Sequence, residues 1–142
     1  MDIRDSTILH VTLSKLFPFV VMFSFYVFSY GANYPGGGFQ AGVMFGTIIV
    51  VIEMVFEQRV YGDHLYSIIE FFGVLILAVG LVAGFLMTGY GFGDLYRLVS
   101  GVHVFSNVLF WILNLAIYLE VAGSIILIFR NFLEWGDEDT DL

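Results

Sequence analysis

The chain has 142 residues, 59% of them hydrophobic and 18% aromatic, with a mean hydropathy of +0.91. Only 13% are charged, against about 25% in soluble domains whose surface faces water, so an ordinary soluble fold is excluded. The net charge of −8 comes from 13 acids and 5 bases; so few bases leave no basic patch, and no nucleic-acid partner is expected.

The first apolar run covers residues 8–30 and contains Lys15 and Pro18. It is too long for the core of a cleavable signal and has no small-residue cleavage site at its end, so it is read as a retained span. A Gly-rich turn follows. The second run, 39–56, carries Glu53 near its end. A polar link with Arg59, Gly62 and Asp63 leads to the third run, 66–87, which holds Glu70. A glycine-aromatic stretch, 89–94, precedes the fourth run, about 104–129. Each run is near the roughly 20 residues that a helix needs to cross the hydrocarbon layer. Lipid-exposed backbone must satisfy itself, and the runs lack the alternation of barrel strands. The expectation is an all-α integral membrane protein with four transmembrane helices, the membrane domain being residues 1–133. Glu134, Asp137, Glu138, Asp139 and Asp141 then make residues 134–142 an acidic C-terminal tail. Arg4, Lys15, Arg59 and Arg130 fall on one side of the membrane and only Arg97 on the other, which places both termini in the cytoplasm.

Gly38, Gly42 and Gly46 recur every four residues, and Gly80 and Gly84 share that spacing. Such small-residue rows open grooves for close helix approach, either within the chain or against neighbouring subunits. The Gly-rich turn is not a phosphate loop, because Phe39-Gln40-Ala41 stands where a Walker loop needs Gly-Lys-Ser/Thr. Pro35 and the three glycines after it fit a tight reversal or a broken helix start instead.

Tyr30-Gly31, Asn33 and Pro35-Gly36-Gly37-Gly38-Phe39-Gln40-Ala41-Gly42 resemble the signature of the MnhB-like subunits of Mrp-type multisubunit Na+/H+ antiporters. In the fourth run, Ala116-Ile117-Tyr118-Leu119-Glu120-Val121-Ala122-Gly123 is similar to a second motif of that family. Three positions depart from it: Ala32 replaces a histidine, Asn114 an acid, and Glu120 an apolar residue. The resemblance implies a non-catalytic subunit of a cation/proton antiporter module, multi-pass in the cell membrane of a bacterium or archaeon. It makes Pro35, Gly36, Gly37, Gly38, Phe39, Gly42 and Gly46 a structural motif, and implies other membrane subunits as partners, with Na+ or H+ as the ion. Related subunits serve membrane-bound hydrogenases and sulfur reductases, whose ion-translocating arm is an alternative host.

Ionisable residues inside a span are functional suspects. Glu120 lies about 4.5 Å from the middle of the fourth run at 1.5 Å per residue, the deepest acid of the chain. Glu53 lies near the end of the second run, Glu70 about 6 Å into the third, and Lys15 in the first. With Asn114 and His103, these are the candidates for an ion route. His103, Asn107, Asn114 and Tyr118 form one polar stripe and Glu120 lies off it, so the fourth helix is expected to be surrounded by other chains. No paired catalytic acids, nucleophile–base set or metal-ligand cluster is visible, so neither an active site, a metal nor a cofactor is expected. The competing reading is a self-contained homodimeric proton-coupled transporter; against it, the first run carries no acid.

Overall fold

A computed structural model describes residues 6–31, 36–88 and 103–138, with side chains placed except at 87–88, 103–107, 109 and 136–138. The described residues form helices α1 (Thr7–Tyr30), α2 (Gly38–Phe56), α3 (Asp63–Thr88) and α4 (His103–Glu138), with no strand among them. All four are long and apolar enough to cross a membrane. α1 continues through Pro18, which a transmembrane helix tolerates better than a soluble one. α4 runs on to Glu138, into the stretch that composition marks as a tail. Pro35, Arg97, the glycine-aromatic stretch 89–94, the side chain of His103 and residues 139–142 lie outside the described residues.

The helices stand in an open row, α1–α2–α4–α3. α4 packs against both α2 and α3, and α1 packs on α2 and reaches α4 mainly through side chains. Each polar side of the fourth helix, expected to be covered by other chains, meets a helix of this chain. Its Asn114–Tyr118 side meets α2 and α1, and its Glu120 side meets α3. The chain itself supplies the partners of Asn114 and Tyr118, because polar groups in lipid are well satisfied by a neighbouring helix of the same bundle.

Backbone proximity fixes the register of each contact. Carbonyl and amide groups of Asn114 and Tyr118 crowd the space beside Gly38, the Tyr118 carbonyl lies 2.8 Å from a Cβ built on Gly42, and the Ala122 carbonyl 3.1 Å from one on Gly46. The constant offset makes α2 and α4 parallel. Across the other seam, a Cβ on Gly73 would lie 2.7 Å from the Glu120 Cβ and one on Gly123 would lie 3.2 Å from the Glu70 Cβ. Those offsets make α3 and α4 antiparallel. In lipid there is little hydrophobic gain between helices, so dispersion at such short separations holds them together. The α2 glycine row therefore serves α4 of the same chain. In α3, Gly73 meets the α4 backbone mid-helix.

The arginine-bearing end is closed by a small core of Ile49, Val50, Tyr66 and Ile126. Much of α1 and α3 stays exposed, with Phe19, Met22, Phe71, Val79 and Phe85 open to the surroundings. A hydrophobic exterior of this kind is what a bilayer solvates.

Candidate functional site

The first polar constellation sits where α2 begins. Gly37 has φ +130°, a conformation that L side chains rarely adopt, and it brings the chain into α2 directly beside α4. A helix start leaves its first N–H groups without partners. Gly37 has no side chain to cap them, so the cap comes from α4: the Gly38 N–H donates to Asn114 Oδ1 at 2.6 Å. Asn114 Nδ2 in turn donates to the Phe28 carbonyl of α1 at 3.4 Å. One buried amide thus ties three helices. A turn further along, the Ser24 hydroxyl donates to the Ala41 carbonyl at 2.9 Å and shares a 3.3 Å bond with the Tyr118 hydroxyl. Phe25, Phe28 and Phe45 surround the Tyr118 ring with centroids at 5.9, 5.3 and 5.9 Å.

The second constellation closes the other end. α2 stops at Glu57, which turns the chain with φ +52°. The Val60 N–H then donates to Glu53 Oε1 at 2.9 Å. Arg130 of α4 grips the same carboxylate bidentately, with Nε to Oε2 at 2.9 Å and Nη2 to Oε1 at 2.5 Å. Both side chains are about nine-tenths buried, at 8% and 10% exposure. Arg130 also pairs with Asp63 and donates to the Tyr61 carbonyl, and its guanidinium lies 4.8 Å from the Tyr66 ring centre. The planar fork suits this set of acceptors, where a lysine would serve one or two. Arg59 extends the network to Asp63 at 2.7 Å and Glu134 at 2.6 Å. The Glu134 hydrogen bond and the Asp63 charge raise the Arg59 guanidinium further above its already high ordinary pKa.

The third constellation runs along the α3–α4 seam. The Ser124 hydroxyl donates to Glu70 Oε1 at 2.5 Å. Both line an open cleft of about 540 Å³ together with Asp63, His64, Ser67 and Asn131. Glu120 stands one helical turn beyond Ser124, half-buried beside Gly73. Gly73 lies about 15 Å along α3 from Asp63, close to the middle of the apolar stretch Asp63–Leu86. Among the described residues Glu120 has neither a hydrogen bond nor an ion pair.

The structure thus separates the sequence candidates. Asn114 caps α2, Glu53 is bound to Arg130, and Glu70 and Glu120 share the α3–α4 seam. Lys15 is exposed on α1 and makes no hydrogen bond or ion pair with the three constellations among the described residues. Gly36, Gly37 and Gly38 build the entry to α2, while Phe39 points outward, 60% exposed. Arg130, Ser24, Ser124 and Gly73 were missed as site residues. The signal for Arg130 appears only once the α2–α4 register is known: the separation of 76 between Gly38 and Asn114 puts Glu53 level with Phe129 and Arg130. Among the described residues no group of three or more His, Cys, Asp or Glu could hold a metal ion.

Four apolar helices and three internal polar knots define a multi-pass helical protein of the cell membrane. Residues 8–127 match the family described as a domain related to the MnhB subunit of Na+/H+ antiporter, and the chain belongs to that family. It is 26% identical over 133 residues to the putative antiporter subunit mnhB2 of Staphylococcus aureus, covering 87% of this chain and 92% of the relative. It is 30% identical over 91 residues to the B-type subunit of the Na(+)/H(+) antiporter of Alkalihalophilus pseudofirmus, covering 63% of this chain and 60% of that relative's length. No solved structure matches the chain.

Proposed function

We propose that this chain is a non-catalytic membrane subunit of a multisubunit Na+/H+ antiporter module, which scaffolds neighbouring subunits and lends its α3–α4 seam to an ion route. Both termini lie in the cytoplasm in this reading. The family membership supports the antiporter setting. The observation that carries the route is Glu120, a half-buried mid-depth carboxyl with no partner among the described residues. A carboxyl in that position costs several kcal/mol to keep ionised without a partner, so a bound cation or a proton is its natural complement. Glu70 and Ser124 continue the polar path toward the arginine-bearing end. Glu53 and Asn114 fit the route less well, because their polar atoms are already engaged. Lys15 and His103 enter the proposal only as positions on the same membrane spans.

The test is Glu120→Gln in the assembled complex, read as sodium-driven proton movement in everted membrane vesicles. The expected result is a loss of about tenfold or more with assembly intact, since intramembrane ionisable residues mark ion and proton paths. Unchanged transport with unchanged assembly overturns the route. The purified chain alone in liposomes is expected to move no ions; proton-coupled flux there would favour the self-contained homodimer. Identification of co-purifying subunits in mild detergent separates a free antiporter from the arm of a hydrogenase-type complex.

A further inference from the structure

The side of α4 that carries Ile128 has a distinctive relief. Ile128 is 68% exposed and stands between two hollows that it lines in common. On its α3 side lies the polar cleft of about 540 Å³ that contains Glu70 and Ser124. On its α2 side lies an apolar groove of about 480 Å³ formed by Thr47, Val51, Met54, Ile125 and Phe132. A ridge flanked by two furrows is the surface into which the side-chain rows of another helix fit.

Charge decides the kind of occupant. Glu70 has a serine hydroxyl and no cation, and Glu120 has neither among the described residues. Arg59 and Arg130 are committed to Glu134, Asp63 and Glu53. Lys15 sits on α1, which packs chiefly on α2 and not on α3, and it makes no ion pair among the described residues. His64 lines the mouth of the cleft, about 9 Å along α3 from Glu70. The described chain therefore brings Glu120 to mid-depth and Glu70 about a turn nearer the arginine-bearing end, with no cation to meet either. Lipid tails can fill the apolar groove, but they satisfy no carboxyl, and a headgroup stays about 15 Å away at the membrane surface. A second copy docking through this face by two-fold symmetry sets the same acidic patch against itself.

We infer that this face receives a transmembrane helix of a different subunit, seated along the Ile128 ridge and presenting a Lys or Arg within a turn of Glu120. The inference rests on the proposed function only in placing the chain among other membrane subunits. It is tested in the whole complex in native membranes, with a photo-cross-linking side chain at Ile128 and, as a control, at Met22 on α1, which is 70% exposed. The expected product at Ile128 is one adduct, mapped by mass spectrometry to a helix of another subunit that carries a basic residue about two turns from the cross-linked position, matching the roughly 12 Å between Ile128 and Glu120 along α4. Met22 is expected to give at least about fivefold less protein adduct, since shape and charge match are absent there. Lipid adducts alone at Ile128, a homodimer adduct, no adduct above the Met22 level, or a partner helix without a basic residue each overturn the inference. Glu120→Lys adds a charge arm: it is expected to reduce the Ile128 adduct about tenfold by like-charge repulsion. An unchanged adduct overturns the pairing of that base with Glu120. Failure of the ion route would show in transport by Glu120→Gln and leave the Ile128 adduct in place, so the two readings fail separately.

Discussion

Helix α4 has two seams of opposite character. Toward α2 the contact is parallel and its polar groups are paired: glycines bring the backbones together, Asn114 supplies the missing cap, and Arg130 neutralises Glu53. Toward α3 the contact is antiparallel and unfinished. Its serine and carboxyls open into a cleft, and its deepest acid has no described partner. The first seam stores its polar groups where they hold the fold, whereas the second leaves them where something outside the chain can reach them. In a bilayer, where burying apolar surface between helices gains little, that difference separates structural from functional polarity. Mutations should therefore damage stability on the α2 side and function on the α3 side.

The largest effect is expected at Gly38. Any Cβ there runs into the backbone carbonyl of Asn114, and backbone cannot rotate aside as a side chain can. Gly38→Val should cost about 4 kcal/mol or more by overpacking and loss of the cap. The check is the amount of protein retained in membranes and its thermal unfolding in mild detergent. A variant that unfolds like the wild type would show that the two backbones do not approach this closely.

Arg130→Leu comes next. It leaves the Glu53 carboxylate buried without its counter-ion, a change worth about 3–5 kcal/mol in buried pairs. Replacing both, Arg130→Leu with Glu53→Gln, should recover about half of that loss, because the stranded charge is gone. A double variant no better than Arg130→Leu alone would mean that Asp63 and the Tyr61 carbonyl, not Glu53, are what Arg130 serves. Asn114→Ala should follow at about 1–2 kcal/mol, the range for losing a helix cap and one further hydrogen bond. Its signature is faster hydrogen exchange at the first amides of α2, with the arginine-bearing end unaffected.

How much of this was legible in the sequence depends on whether the cause was local. The four helices follow from the length of the apolar runs, and the break before Gly38 follows from proline and glycine chemistry. The order of the row does not, since hydropathy says that a helix is in lipid but not which helix lies beside it. Nothing in the sequence around Gly73 marks it as the place where the α4 backbone approaches α3. Arg130 reads as a positive charge marking the inner face, and only the parallel register of α2 and α4 reveals that Glu53 takes it out of solvent. Asn114 and Glu120 stood out for the same reason, as polar residues in an apolar run. Their opposite situations come from positions about 600° apart along the 100°-per-residue turn of the helix, which aim one at the start of α2 and the other at α3.

The smallest stability effect, and the sharpest use of the comparison, is the same chemical change at two acids. Glu53→Gln removes the charge that holds a buried guanidinium and should cost about 3 kcal/mol. Glu120→Gln removes a charge with no described counterpart, and should change the unfolding of the isolated chain only within about 0.5 kcal/mol. If anything, the sign should be stabilising, because a neutral amide is easier to hold in a half-buried place than a carboxylate. Thermal melts of both variants in the same detergent measure this directly. In the assembled complex Glu120→Gln should instead lose transport, so its effect moves from stability to function. Equal destabilisation by the two substitutions would mean that Glu120 is as firmly partnered within the chain as Glu53, and that the α3–α4 seam is as complete as the other.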